Sequence, residues 1–174
     1  NFGYKSNKSG FSIGSGFEFY EDLYWNTGIS TYVEKLDTNS TASAGMKKQE
    51  GSYFDVFFNQ TFNYDKRNQK YKTSDGYISR FTQNFPLVSE GYTLTNGYDY
   101  KTYNTWSNEN IFSFGVFIKA TKSLTGENVK LSDRLFLPSN KLRGFESGKV
   151  GPKDGADYIG GNYAASVNIA TTLP

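Results

Sequence analysis

Apolar and polar side chains alternate with a period of two along most of this chain, which is typical of β-strands whose two faces meet different surroundings. From Phe11 to Phe19 the odd-numbered residues are mostly aromatic or aliphatic, and the even-numbered residues are serine, glycine and glutamate. The 3.6-residue spacing of an amphipathic helix is missing, and glycine or asparagine interrupts almost every window. The sequence therefore predicts an all-β fold.

Seven runs of this kind follow one another, bounded by polar segments rich in glycine, asparagine and aspartate. They lie at about 11–19, 23–34, 52–64, 77–85, 92–101, 112–120 and 163–170. Tight turns are predicted at Glu21-Asp22 and Ser107-Asn108-Glu109, a short loop at 86–91, and a long surface loop at 37–50. Antiparallel neighbours need only short connections, so an up-and-down meander is the simplest topology.

The composition limits the environments in which these strands can fold, but it does not choose between a membrane and water. The 31 aromatic residues outnumber the 25 larger aliphatic ones, and the mean hydropathy is −0.63. Aromatic residues on one face and small or charged residues on the other are typical of a membrane barrel, whose strands cross the bilayer in about 10 residues. A soluble β-sandwich has the same period, so the alternation alone leaves both folds open.

Several functional classes are excluded by residues that the chain lacks. It has no cysteine and no histidine, which excludes disulfide scaffolds, zinc fingers and serine-histidine triads. The formal net charge of +2, from 19 basic and 17 acidic residues, is too even for a nucleic-acid binder. The spacing of Asp133, Asp154 and Asp157 matches no calcium loop. We therefore expect neither an enzyme nor a metal or cofactor site.

After Lys122 the alternation stops for about 40 residues, and loops of this length are usually functional or disordered. Three motifs follow one another in and after this loop: Leu142-Arg143-Gly144-Phe145, Gly151-Pro152-Lys153-Asp154 and Gly160-Gly161-Asn162. Together they resemble the signature of the bacterial surface antigen superfamily of outer-membrane assembly and secretion proteins. The segments 63–67 and 73–77 resemble a periplasmic turn of the same family.

The resemblance implies that residues 1–174 are a partial outer-membrane β-barrel domain, similar to strands six to twelve of a sixteen-stranded barrel. Residues 123–159 would form a long extracellular loop. The chain begins at Asn1 rather than at methionine, and we expect it to be a fragment of a longer protein. The periplasmic POTRA domains would lie outside this chain.

The resemblance also implies a site in which the loop folds into the barrel lumen and Arg143 binds a carboxylate. A guanidinium can hold a carboxylate by two parallel hydrogen bonds, which lysine cannot do. Family members commonly place a glutamate on the next strand, where this chain has Asn168. Glu18, Glu34 and Asp99 are further candidates on the lumen face. Residues 160–162 are predicted to form the turn that returns the chain to the sheet.

The function implied by the resemblance is that of the barrel subunit of the outer-membrane protein assembly machinery of Gram-negative bacteria. Such a protein inserts and folds other β-barrels without enzymatic chemistry. Its implied partners are outer-membrane lipids, unfolded β-barrel clients, and accessory lipoproteins bound through the POTRA domains. Two alternatives stay open: a two-partner secretion or translocation-assembly barrel of the same superfamily, and a soluble β-sandwich binding module.

Overall fold

The computed structural model describes residues 3–106 and 110–172, and long antiparallel strands dominate it. Nine strands follow in chain order: β1 (Tyr4–Tyr20), β2 (Leu23–Thr38), β3 (Gly51–Asp65), β4 (Gly76–Val88), β5 (Thr93–Thr105), β6 (Ile111–Ser123), β7 (Lys153–Asp154), β8 (Asp157–Tyr158) and β9 (Tyr163–Thr172). A four-residue helix α1 (Ala44–Lys47) and a 3-10 helix (Leu131–Asp133) lie in the connections. No helix in these ranges is long and apolar enough to cross a membrane.

The seven long strands form one sheet in the order β1-β2-β3-β4-β5-β6-β9, and every neighbouring pair is antiparallel. This confirms the predicted all-β meander of seven strands. The sheet is open, with β1 and β9 at its edges. The connections alternate between two ends, which we call the turn end (β1–β2, β3–β4, β5–β6) and the loop end (β2–β3, β4–β5, β6–β9).

The strand bounds differ from the predicted ones in places where local geometry overrides the alternation. The predicted loop at 86–91 is shorter, because β4 continues through Pro86 to Val88. The register of β3 and β4 shifts between Val56 and Phe57, opposite this proline, and a bulge tolerates a residue that has no N–H. Tyr92 lies before β5 with a φ of 39°. The predicted turn at 107–109 lies outside the described residues.

The two faces of the sheet differ sharply. The outer face carries aromatic residues in register, such as Trp25 and Phe62, whose rings stack with centroids 5.8 Å apart. Phe11 and Ile13 on the same face of β1 are 72% and 73% exposed, so this face presents an exposed apolar surface. The opposite side, which we call the inner face, carries the charged residues and is covered by the long loop.

A buried apolar cluster lies at the loop end. Leu36 of β2, Ala42 and Met46 of the 39–50 connection, and Leu131 of the long loop form it, and Tyr53 packs against them. The prediction that 37–50 is a surface loop is therefore wrong for its middle part. The Ser43 hydroxyl caps α1 by accepting a hydrogen bond from Met46 N at 3.1 Å, and the Met46 side chain is only 1% exposed.

Candidate functional site: a long loop held on the inner face

The segment that connects β6 to β9, residues 124–162, is attached to the sheet through its 3-10 helix. Leu131 at the start of this helix is buried. Its backbone N–H donates to Gln49 Oε1 at 2.8 Å, and its carbonyl accepts from the Tyr4 hydroxyl at 3.3 Å. The helix thus bonds to β1 and to the 39–50 connection, which fixes the residue before it against the inner face.

That residue, Lys130, forms the most buried charge cluster of the described structure. Its ammonium lies 2.7 Å from Glu34 Oε2 on β2, 2.9 Å from Asp55 Oδ2 on β3 and 3.9 Å from Asp133 Oδ2. The side chains of Lys130, Glu34 and Asp55 are 5%, 0% and 1% exposed. The Lys130 ammonium also lies 4.7 Å from the centroid of the Tyr53 ring. One lysine of the loop therefore binds two neighbouring strands.

Serine hydroxyl groups donate further hydrogen bonds to the carboxylates of Glu34 and Asp55. Ser6 Oγ donates to Glu34 Oε1 at 2.5 Å, and Ser132 Oγ donates to Glu34 Oε2 at 2.9 Å. Ser89 Oγ donates to Asp55 Oδ1 at 2.5 Å. Buried charges are stable only when their hydrogen-bonding capacity is met, and here it is met on several sides.

Burial and neighbouring charges shift the pKa values of Lys130 and Asp133, the two charged loop residues of this cluster. Burial lowers the pKa of Lys130, but Asp133, Glu34 and Asp55 outweigh it, so the pKa is raised overall. Burial raises the pKa of Asp133, with Lys130 and Lys8 opposing it. Lys130 is therefore charged at neutral pH, and its positive charge is what the two strand carboxylates require.

A second attachment lies further along the loop. Lys141 Nζ is 2.5 Å from Asp99 Oδ2 on β5 and 5.4 Å from the centroid of the Phe117 ring on β6. This pair is less buried than the Lys130 cluster, with side chains 22% and 35% exposed. It anchors the loop beside the inner faces of β5 and β6, two residues before Arg143.

Arg143 lines a cavity of about 150 Å³ together with Asp99 and Asn168, two of its predicted partners. In the described ranges Arg143 has no ion pair, and the carboxylate of Asp99 binds Lys141 instead. Glu34, another predicted partner, lies in the Lys130 cluster and is not brought to Arg143. The binding of a carboxylate by Arg143 therefore stays a prediction. The ion pairs between the loop and the acidic residues of the inner face are instead formed by Lys130 and Lys141.

The residues around Arg143 form the exposed tip of the loop. Leu142 is half-buried, and its N–H donates to Pro138 O at 3.2 Å. Gly144 has a φ of 83°, a backbone conformation that favours glycine, and Phe145 is 61% exposed. The Phe145 side chain is therefore mostly exposed in the described structure rather than packed as an apolar anchor.

The Gly151-Pro152-Lys153-Asp154 motif joins the long loop to the 39–50 connection. Gly151 has a φ of 126°, and Pro152 O accepts a hydrogen bond from Ile159 N at 3.0 Å. Lys153 and Asp154 form β7, which pairs with β8. Asp154 Oδ2 accepts a hydrogen bond from the N-cap residue Ser43 at 2.5 Å, so this motif links two connections at the loop end.

The Gly160-Gly161-Asn162 motif leads directly into β9. Gly161 forms an antiparallel bridge with Leu135, with N–H to O distances of 2.8 and 2.9 Å. Asn162 O accepts from Thr121 N of β6 at 2.8 Å. Gly160 has a φ of 71°, and a Cβ atom there would lie 2.9 Å from Leu135 O. The motif therefore combines a positive φ with a close backbone approach.

Sequence reasoning missed Lys130 and Asp55, which carry the main attachment. Asp55 does have a local signal, because it is a charged residue inside the apolar run Phe54–Phe58. A carboxylate there predicts a partner on the inner face. Lys130 has no such signal, because it lies in a polar loop that contains several lysines.

Removing the Lys141–Asp99 pair should have a small effect. Lys141→Ala is expected to lower the free energy of unfolding by about 0.5–1 kcal/mol, because partly exposed ion pairs are weak. It should also speed proteolysis of the loop between 138 and 150. Thermal unfolding and limited proteolysis of the full-length protein in detergent would measure both. Lys149→Ala, which removes a pair with Glu146 inside the loop, should leave the attachment unchanged; a Lys141 effect no larger than this control contradicts the anchoring role.

Comparisons with known proteins agree with this fold. The sequence matches the Omp85 superfamily domain over residues 1–174. The structure is similar to the crystal structure of BamA from Haemophilus ducreyi lacking POTRA domains 1–3, with a TM-score of 0.84 and 20% sequence identity over 98% of this chain. A SAM50-like protein of Schizosaccharomyces pombe is 38% identical over 63 residues, or 36% of this chain.

The chain spans only part of these proteins, 38% of the BamA chain and 13% of the SAM50-like protein. The family match covers every residue, and the seven-stranded meander agrees with the BamA barrel, so both favour a membrane barrel over a soluble sandwich. The outer face is then the lipid side and the inner face the lumen side. The chain belongs to the Omp85 superfamily of outer-membrane β-barrel proteins.

Proposed function

We propose that this chain supplies part of the wall and the lumen loop of a barrel that inserts and folds other β-barrel proteins in an outer membrane. The observation that carries the proposal is the attachment of the long loop to the inner face through Lys130, Glu34 and Asp55. A loop held inside the barrel keeps the wall in a defined shape. The family match and the likeness to BamA support this role over that of a generic pore.

The proposed mechanism is mechanical and electrostatic rather than enzymatic. Strands β2 to β6 each pair with a neighbouring strand on both sides and form a continuous wall. A barrel that admits a client must open at a seam elsewhere, and unpaired strand edges at that seam would template the client by β-augmentation. The anchored loop would hold this part of the wall closed while the seam opens.

The proposed partners follow from this role. They are unfolded β-barrel clients, the lipids that cover the outer face, and accessory assembly lipoproteins that bind POTRA domains outside this chain. A two-partner secretion or translocation-assembly barrel would use the same loop. The number of POTRA domains in the complete protein distinguishes these members of the superfamily.

The compartment has two candidates, and a specific observation favours each. The loop motifs favour a bacterial outer membrane. The identity of 38% over 63 residues to a SAM50-like protein of fission yeast favours the mitochondrial outer membrane. Fractionation of the source cells with an antibody against the exposed loop would separate the two.

Arg143→Ala in the full-length protein is expected to lower the steady-state level of other outer-membrane barrels several-fold. The proposed reason is that a guanidinium at the loop tip pairs with a carboxylate of the complete lumen. Arg143→Lys should fail similarly, because lysine cannot form two parallel hydrogen bonds. Immunoblots of several client barrels, with Lys149→Ala as an exposed-loop control, would measure this. Unchanged client levels, with unchanged stability of the barrel itself, would defeat the proposal.

A further inference from the structure

Basic side chains outnumber acidic ones in two cavities between the long loop and the inner face of the sheet, with volumes of about 340 and 150 Å³. Of the described residues, Asp99 is the one acid that lines them, and its carboxylate binds Lys141 instead of Arg80, its register partner on β4. Five other basic residues line these cavities and form no ion pair with any described residue: Arg80, Lys101, Lys119, Arg134 and Arg143. Their positive charge therefore has no counter-charge in the described structure.

Three of these basic residues line the larger cavity, which we call the cationic cavity. Arg80 of β4 and Lys119 of β6 lie on its sheet side, and Arg134 lies on its loop side. Gly97 of β5 lies between the two strand residues, and an added Cβ atom there would be 2.6 Å from Thr82 Oγ1 and 3.7 Å from Lys119 Cγ. The missing side chain at Gly97 keeps the cavity open, and a volume of 340 Å³ is that of a small-molecule site.

The two guanidinium groups of the cationic cavity are each held by one nitrogen. Arg80 Nε donates to Asn63 Oδ1 at 3.1 Å, and Arg134 Nε donates to Val129 O at 3.3 Å. Within the described ranges, the terminal nitrogens of both side chains donate no hydrogen bond, and the Lys119 ammonium has neither a hydrogen bond nor an ion pair. The cavity therefore offers oriented N–H donors that have no acceptor.

The chemistry of the lining indicates what would fill the cationic cavity. A guanidinium matches the paired oxygens of a phosphate or a carboxylate, and a lysine ammonium adds a point charge. A phosphate monoester carries about −1.5 to −2 at neutral pH, so it offsets three positive charges better than a single carboxylate does. Apolar side chains form much of the remaining wall: Phe117, Leu135, Phe136 and Pro138. The lining thus suits a phosphate group attached to an apolar or aromatic group.

We propose that the cationic cavity binds a small organic phosphate, with its phosphate group between Arg80, Lys119 and Arg134 and its apolar part against Leu135. The sheet forms one side of the cavity and loop residues 134–138 form the other. Because the loop lies over the sheet here, a carboxylate from the opposite wall of a complete barrel would have to displace the loop to reach the three cations. The site is separate from the Lys130 cluster, and its ligand does not depend on the proposed assembly role.

The first test is calorimetric titration of the full-length protein in detergent, with phenyl phosphate as the probe. Benzoate is the matched control, because it keeps the aromatic ring and carries a single carboxylate. At equal ionic strength we expect phenyl phosphate to bind at one site per protein, and benzoate to bind at least about tenfold more weakly. No binding of phenyl phosphate would overturn the proposal. Equal binding of benzoate would also overturn it, because a polypeptide carboxylate would then fit the cavity as well.

Substitutions connect this binding to the cationic cavity. Lys119→Gln and Arg134→Gln should each weaken phenyl phosphate binding at least about tenfold, the usual effect of losing a hydrogen bond from a charged donor. Lys122→Gln is the matched control, because Lys122 is an exposed residue of the same strand that does not line the cavity. A heat-modifiability gel shows that each variant is folded. Unchanged affinity in both cavity variants, or an equal loss in the control, would overturn the proposal.

A footprint on the unsubstituted protein locates the ligand without any variant. Phenyl phosphate should slow acetylation of Lys119 at least about fivefold and leave acetylation of Lys122 unchanged, with both rates measured by mass spectrometry. Benzoate at the same concentration should protect neither lysine. Equal protection of the two lysines, or no protection of Lys119, would contradict a phosphate site in the cationic cavity.

Discussion

Lys130→Met in the full-length protein is expected to lower the free energy of unfolding by about 3–5 kcal/mol, the usual cost of removing one partner from a buried ion pair. The ammonium of Lys130 lies 2.7 Å from Glu34 and 2.9 Å from Asp55, and both carboxylates are almost fully buried. Without it, Asp55 would keep only the Ser89 hydroxyl as a partner, and Glu34 would keep two serine hydroxyls and the more distant ammonium of Lys8 at 3.7 Å. Chemical denaturation of the protein in detergent micelles would measure the loss.

Two controls separate this effect from the general loss of a lysine. Lys149→Met removes an exposed lysine of the same loop and should change the free energy of unfolding by less than about 0.5 kcal/mol. Adding Glu34→Gln and Asp55→Asn to Lys130→Met removes the unpaired charges and should recover much of the loss. A loss below 1 kcal/mol for Lys130→Met alone, or no recovery in the triple variant, would contradict the buried anchor.

Gly160→Ala is the second substitution for which we expect a large effect, about 2–4 kcal/mol. Gly160 has a φ of 71°, and an added Cβ would lie 2.9 Å from Leu135 O and 3.0 Å from the Phe136 ring. The left-handed conformation costs an alanine about 1–2 kcal/mol. The remainder comes from displacing the Leu135–Gly161 bridge, whose hydrogen bonds contribute about 1 kcal/mol each.

Gly144→Ala is the matched control for this substitution. Gly144 also has a positive φ, 83°, but among the described residues beyond its two chain neighbours no atom lies within 4 Å of an added Cβ. It should therefore show only the conformational cost, about 1–2 kcal/mol. Equal losses of unfolding free energy in the two variants would show that the close approach of Leu135 and Phe136 to position 160 does not contribute to the loss.

The fold was largely predictable from the sequence because the two faces of the sheet contact different media. An alternation of period two predicts a strand wherever one face is aromatic and the other polar, and all seven strands appear where it occurs. The alternation fails at strand ends, where both faces become polar: β1 begins at Tyr4, well before the predicted Phe11. At Pro86 the sequence predicts a loop, but β4 continues through this residue, because a bulge allows a residue without an N–H inside a paired strand.

The candidate site was less predictable, because its contacts join residues that are distant in sequence. The motifs located the loop, yet Lys130 and Asp55 are 75 residues apart and meet only through the topology of the sheet. Glu34 was identified from its position on the inner face, but its partner is Lys130 rather than Arg143. Position on a strand predicts the face of a residue, and only the folded loop determines what it binds.

The central claim, that the first part of the long loop is packed inside the barrel wall, can be tested by thiol labelling. The chain contains no cysteine, so single cysteines introduced into a cysteine-free version of the full-length protein report on one position each. Leu131 is 2% exposed, whereas Ser147 lies on the exposed part of the loop. In intact membranes a polar maleimide should label Ser147→Cys rapidly and Leu131→Cys slowly, and Lys130→Met should accelerate labelling at position 131. Equal labelling rates at the two positions, with Lys130 present, would contradict the account.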